Sequence, residues 1–130
     1  MTRKKDFKIG RTSTGLGLFA QKPFTRGDFV IEYTGEKIND DEADRRGGRY
    51  LFTIKKNLVL DAKEHKHLAR YINHSCKPNC YAEVDEDEEK VFIYAKRKIE
   101  PEEELTYNYG KEYWSDYIAD ECRCVKCLAS

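Results

Sequence analysis

Three thiols crowd the end of this chain, and nothing in the sequence constrains its fold more. Cys122, Cys124 and Cys127 stand in the pattern C-x-C-x2-C. Thiolates that close repel one another and oxidise unless a cation holds them. Zn2+ does this with tetrahedral sulfur ligands at roughly 2.3 Å, and a structural site takes four. Two cysteines remain to supply the fourth, Cys76 and Cys80. A ligand at Cys76 would clip the C-terminal segment onto the middle of the chain, across 127 − 76 = 51 positions. Small structural zinc sites bind with roughly 10–16 kcal/mol, so order at this end is expected to depend on metal. The plainer reading is a frayed tail of free thiols. Crowding of this kind in a reducing compartment points instead to metal, and an odd total of five cannot pair off into disulfides.

The middle that such a clip would reach is dense in chemistry. Arg70-Tyr71-Ile72-Asn73-His74-Ser75-Cys76-Lys77-Pro78-Asn79-Cys80 combines an Asn-His pair, a candidate thiolate and a turn-forming Lys77-Pro78-Asn79. A second run, Glu104-Leu105-Thr106-Tyr107-Asn108-Tyr109-Gly110, offers phenol hydroxyls to a site beside it. The chain has nine Tyr, and each hydroxyl needs a partner if it is buried.

The 130 residues fit one domain. Lys+Arg and Asp+Glu both number 24, so the net charge is zero, which argues against direct nucleic-acid binding. No apolar run approaches the roughly 20 residues of a membrane span. Nothing after Met1-Thr2-Arg3-Lys4-Lys5-Asp6 is apolar for long enough to be a secretory signal, so an intracellular protein is expected.

Taken in order, Phe7–Gly10 reads as a strand. Gly15-Leu16-Gly17 follows, ahead of an apolar strand; glycines there let backbone approach a ligand, or simply make a hairpin. Phe29–Thr34 alternates, with Phe29, Ile31 and Tyr33 on one face. Asn39-Asp40-Asp41-Glu42 predicts a short helix with a capping box, ending before Gly47-Gly48. Tyr50–Ile54 and Asn57–Asp61 predict paired strands, and residues 64–72 one or two helical turns. His65 and His67 read as surface residues. Tyr81–Val84 and Val91–Ala95 predict a hairpin with an acidic tip, Asp85 to Glu89. That tip reads as a solvated turn or as an attractive field for a basic partner, and Glu100 to Glu104 is compatible with the same field. A strand is predicted over 105–109 and a short amphipathic helix over 111–120. Many short strands and few brief helices predict a mainly β fold of several small sheets.

These motifs, in this order, resemble the SET-domain protein lysine methyltransferases. The 70–80 stretch and the 104–110 stretch resemble their two signatures. Gly15-Leu16-Gly17-Leu18-Phe19 and Glu32-Tyr33-Thr34-Gly35-Glu36 resemble the N-terminal blocks, and the cysteine cluster resembles the zinc-binding post-SET tail. The trithorax-like group is the nearest in flavour, from Asp61-Ala62 and the Asn73–Tyr81 run. The resemblance implies a knot-like crossing in which the Asn73-His74 segment is threaded against the Tyr107–Tyr109 segment. It implies a SET domain over 1–110 and a post-SET tail over 111–130. S-adenosylmethionine is the implied methyl donor, held by Gly15, Leu16, Gly17, Tyr50, Arg70, Asn73 and His74. Tyr109 is the implied catalytic tyrosine, and Tyr107 the position that sets methylation number. Cys76, Cys122, Cys124 and Cys127 are the implied Zn2+ ligands. The tail departs from the commoner C-x-C-x4-C spacing, and no pre-SET cysteine cluster is present. A domain this small leaves room for a homodimer.

The implied activity is lysine N-methylation of a basic protein tail, a histone first, with mono- or dimethylation favoured. That would place the protein in the nucleus if the source is eukaryotic or the target is chromatin; otherwise it would act in the cytoplasm or in a host cell. Two other readings use the same residues. One is a SET-like module that binds a basic peptide without catalysis. The other is a zinc-stapled interaction domain with no cofactor.

Overall fold

The structure, a computed structural model, describes residues 4–13, 15–48 and 50–108. Tyr109, the helix expected over 111–120 and Cys122, Cys124 and Cys127 lie outside the described residues. The described strands are β1 (Phe7–Thr12), β2 (Gly15–Ala20), β3 (Phe29–Tyr33), β4 (Glu36–Ile38), β5 (Leu51–Lys55), β6 (Leu58–Asp61), β7 (Asn73–His74), β8 (Cys80–Asp85), β9 (Lys90–Ala95) and β10 (Thr106–Tyr107). They form four small sheets, ordered β1-β2, β3-β9-β8, β4-β6-β5 and β10-β7, so the fold is mainly β as expected. No helix among the described residues is long and apolar enough to cross a membrane.

Sequence alternation places the core. In β9, Val91, Ile93 and Ala95 are fully buried while Phe92 and Tyr94 face outward. The expected alternation of β3 breaks at its start. A register shift between Phe29 and Ile31 turns Phe29 outward and buries Val30 and Ile31 together. A bulge does this by setting two residues against one on the partner strand. Among the described residues Ile38, Ala43 and Val59 form the smaller of two buried clusters, and Leu18, Ile72, Ile93, Ile99 and Leu105 belong to the larger. Each such side chain contributes roughly 1.5–3 kcal/mol through removal from water.

The α-helix among the described residues is α1 (Asp40–Arg46). The Asn39 side chain accepts from the Glu42 N–H at 2.8 Å, and Gly47 closes the helix at φ 57°. The capping box is only half made, because the Glu42 carboxylate turns to Arg45 and Arg46 instead. Arg46 also bonds Asp61 at 2.8 Å, which neutralises a buried carboxylate and ties α1 to β6.

Residues 64–72 yield only a 3-10 turn, Leu68–Tyr71. It delivers the chain into β7, which lies parallel to β10, with Asn73 opposite Thr106 and His74 opposite Tyr107. Ser75 N–H extends the contact to the Tyr107 carbonyl at 3.2 Å. This parallel pair is the crossing that the two signature stretches imply.

Candidate active site

The crossing gathers residues that are far apart in sequence. The Asn73 amide donates to the Leu16 carbonyl at 3.0 Å and to the Glu104 carboxylate at 2.9 Å. With its Nδ2 so engaged, the Asn73 Oδ1 is oriented as an acceptor. Leu16 is 51% exposed, and a side chain at Gly15, where φ is 125°, would meet nothing within 4 Å. Gly17 differs. It is buried, and a Cβ there would lie 2.7 Å from the Glu104 carboxylate. The close approach expected at this glycine is therefore made to Glu104.

Arg70 sets a second contact. Its guanidinium lies 3.8 Å from the Tyr50 ring centre and donates from Nε to the Ala62 carbonyl at 2.8 Å. The Tyr50 backbone is fixed in turn, because its carbonyl accepts from Ala62 N–H at 2.9 Å and from the Tyr33 hydroxyl at 3.3 Å. Tyr107 is buried and stacks on Phe52 at 6.3 Å, and Phe52 packs on Tyr33 at 5.2 Å. Three rings thus form one wall beside the crossing.

His74 is half-buried, and burial pushes its imidazole below the ordinary range, so the ring is neutral at pH 7. Its Nε2 lies 3.5 Å from Cys76 Sγ. The two cysteines left open as a fourth ligand separate clearly. Cys80 is fully buried in the core, and burial pushes its thiol up to about 12, whereas Cys76 sits on the partly exposed turn after β7. A metal ligand must deprotonate, so Cys76 is the one suited to the task. Among the described residues no group of three metal-binding side chains occurs; the other three expected ligands lie outside them.

Two residues at the crossing were passed over in the sequence. Asn79 is buried and joins the 75–79 turn to the 103–106 segment. Its amide donates to the Glu104 carbonyl at 2.8 Å and to Glu103 Oε2 at 3.2 Å, and its Oδ1 accepts from Thr106 N–H at 2.9 Å. In the sequence Glu104 reads as part of an acidic field, yet its carboxylate holds Asn73. Glu103 is likewise engaged. Burial alone would raise its carboxyl, but donors from Arg97, the Glu100 N–H and Asn79 hold it below the ordinary range. The signal available in sequence was their place inside the signature runs.

The candidate cofactor residues offer a cation-stacked aromatic ring, an accessible backbone at Gly15-Leu16, an oriented amide and a neutral imidazole. This set fits a ligand that has a flat heteroaromatic ring and a polar amino-acid end, as S-adenosylmethionine has. A soft, partly exposed thiol at Cys76 fits Zn2+ in the same way.

Comparison with known proteins bears on the family. The family model described as SET domain matches residues 15–110. Histone-lysine N-methyltransferase SETD1A of Homo sapiens is 38% identical over 140 residues, covering 98% of this chain and 8% of that protein. Histone-lysine N-methyltransferase ATXR7 of Arabidopsis thaliana is 43% identical, covering 92% of this chain and 9% of that protein. An Aspergillus oryzae protein named Histone-lysine N-methyltransferase, H3 lysine-4 specific, is 39% identical, covering 94% and 11%. The chain thus spans about a tenth of the length of these relatives. One solved structure is a humanized mutant of the Chaetomium thermophilum Polycomb Repressive Complex 2 bound to the inhibitor GSK126. It matches with a TM-score of 0.74 at 37% identity, over 83% of this chain and 15% of that one. With the parallel crossing, the two signature stretches and the family match in agreement, this chain belongs to the SET-domain family.

Proposed function

We propose that this domain is an S-adenosylmethionine-dependent protein lysine N-methyltransferase that acts on a histone lysine. The observation that supports it most is the assembled crossing, with Asn73 on Leu16 and Tyr107 on Phe52, in a chain similar along nearly its whole length to proteins named histone-lysine methyltransferases. A non-catalytic SET-like module would have less use for a chain that keeps Asn73, His74, Tyr109 and the Gly15-Leu16-Gly17 turn together in its sequence.

When bound, S-adenosylmethionine supplies a methyl group on a positive sulfur. Gly15, Leu16, Gly17, Tyr50, Arg70, Asn73 and His74 are the proposed holders, through backbone, ring face, amide and imidazole. The target amine must arrive neutral, yet a lysine of pKa about 10.4 is mostly charged at pH 7. Burial among Tyr33, Phe52 and Tyr107 disfavours the cation and lowers that pKa. The same rings stabilise a methylated ammonium as it forms. Holding amine and methyl in line supplies much of the rate. Tyr109 is the proposed orienting hydroxyl beside the transferring carbon, and the amine proton leaves to water.

Tyr107 is proposed to limit the product to mono- or dimethyl-lysine, because its hydroxyl occupies space that further methyl groups need. In Tyr107→Phe the product is expected to shift toward trimethyl-lysine, read by mass spectrometry over a time course. Early trimethyl product from the unaltered protein contradicts this assignment.

Cys76, Cys122, Cys124 and Cys127 are proposed to hold one Zn2+, joining a post-SET tail at 111–130 to the catalytic domain at 1–110. Metal analysis is expected to find one zinc per chain, and chelation to release the tail to proteolysis near 110. Zinc retained in full after Cys76→Ser would sink this ligand set. A basic histone tail is the proposed partner, in a nuclear setting; whether the domain dimerises is a matter for sedimentation.

A further inference from the structure

The outer face of the β3-β9-β8 sheet plays no part in the site just described. An antiparallel sheet with one wet side ordinarily shows polar residues there. This one shows rings. Phe29 stands opposite Tyr94, and Tyr94 opposite Tyr81. Tyr81 and Tyr94 stack at 5.6 Å, and Phe29 meets Tyr94 at 6.1 Å and Phe92 at 6.2 Å. Phe29 is 39% exposed and Tyr81 38%. A contiguous aromatic patch left in water marks an interaction surface.

Carboxylates flank the rings. In the next row Glu32 stands opposite Phe92, and Phe92 opposite Glu83. Glu83, Asp85, Glu86 and Asp87 border an open depression of about 440 Å³ with Phe92 and Tyr94. Of the hairpin tip, Glu89 is drawn away to Lys37 at 3.1 Å and Lys55 at 3.3 Å. Among the described residues, the side chains of Glu32, Glu83, Glu86 and Asp87 make no ion pair or hydrogen bond. Lys90, opposite Asp85, is the cation that the register brings to this face. The cation–ring contacts found among the described residues fall on Phe24, Tyr50 and Tyr71, away from this sheet.

Rings and carboxylates together select the ligand. A purely apolar partner would strand the acids. A metal ion would gain nothing from the rings. A guanidinium or ammonium gains from both, through ring quadrupole and carboxylate charge, while its alkyl stem covers apolar surface. We propose that this face is a docking surface for an extended, arginine- or lysine-bearing segment of the protein substrate, separate from the lysine that reacts. That the segment belongs to the substrate rests on the methyltransferase reading; the binding itself does not.

The test uses the full chain and a short synthetic peptide of alternating Arg and Ser, which carries no methylatable lysine. Titration followed by NMR is expected to move resonances of Tyr81, Phe92 and Tyr94, and the affinity to fall as salt rises. The double variant Glu32→Gln/Glu83→Gln should weaken binding about tenfold, and Phe92→Leu, which keeps an apolar side chain, about fivefold. Asp41→Asn/Asp44→Asn removes the same charge from α1 and should change nothing. Equal weakening in that control would reduce the effect to net charge, and unmoved Phe92 resonances would likewise overturn the proposal. In methyl transfer, Glu32→Gln/Glu83→Gln should raise KM for a basic protein substrate about fivefold at unchanged kcat, and leave a minimal lysine peptide unaffected. Peptide binding on this face without methylation of any protein would keep the docking surface and remove the methyltransferase reading. Methylation with no peptide binding here would do the reverse.

Discussion

Asn79→Ala is expected to lower unfolding free energy by about 3 kcal/mol, more than removal of any exposed ion pair in the structure. The residue is 2% exposed, and its amide is fully engaged. Truncation leaves the Glu104 carbonyl inside the fold without its donor and the Thr106 N–H with only the weak acceptor Cys80 Sγ, and an orphaned buried polar group costs roughly 1–3 kcal/mol. It also opens a cavity too polar to collapse well. Asn79→Asp should be as harmful. It keeps the acceptor for Thr106 but loses both donors, and sets a second carboxylate against Glu103. Urea unfolding reads both. A loss below about 1 kcal/mol in the alanine variant would mean that water replaces the amide, and that the stitch between the two signature stretches is not the element holding them. The stitch also bears on function, because the 103–106 segment it fixes carries Glu104, and Glu104 orients Asn73.

Tyr109→Phe is expected to reduce methyl transfer by about 100-fold or more, while S-adenosylmethionine still binds. No strong general base is assigned to the proposed site, so the proposed reaction would draw its rate from alignment and from burial that keeps the amine neutral. On the proposed assignment the Tyr109 hydroxyl is then the largest single lever. Tyr109 follows two residues after Tyr107, which β10 sets opposite His74. The substitution removes only the hydroxyl and keeps the ring, so lost turnover with intact cofactor binding separates a chemical role from a structural one. Near-unaltered turnover would move the catalytic assignment elsewhere.

Much of this architecture was legible because it is written in short periods. The apolar runs on either side of an acidic turn named the β8-β9 hairpin, and Gly47 named the end of α1. What was not legible depends on register. The bulge that turns Phe29 outward adds one residue between strands, and no residue in β3 announces it. Glu103 and Glu104 look like two more charges in an acidic run, yet one faces Arg97 and Asn79 while the other faces Asn73. Sequence shows the charge but not the partner, which is supplied by a segment about 30 residues away. For the same reason the sequence does not show that Cys80 is fully buried in the core while Cys76 is partly exposed.

The most direct test of the central claim is transfer of labelled methyl from S-adenosylmethionine to mixed core histones, using zinc-replete protein and the Tyr109→Phe variant beside it. The account predicts label on a histone tail lysine, lost in the variant. No label on any histone, together with no binding of S-adenosylmethionine by calorimetry, would contradict it and leave a SET fold that binds without catalysing.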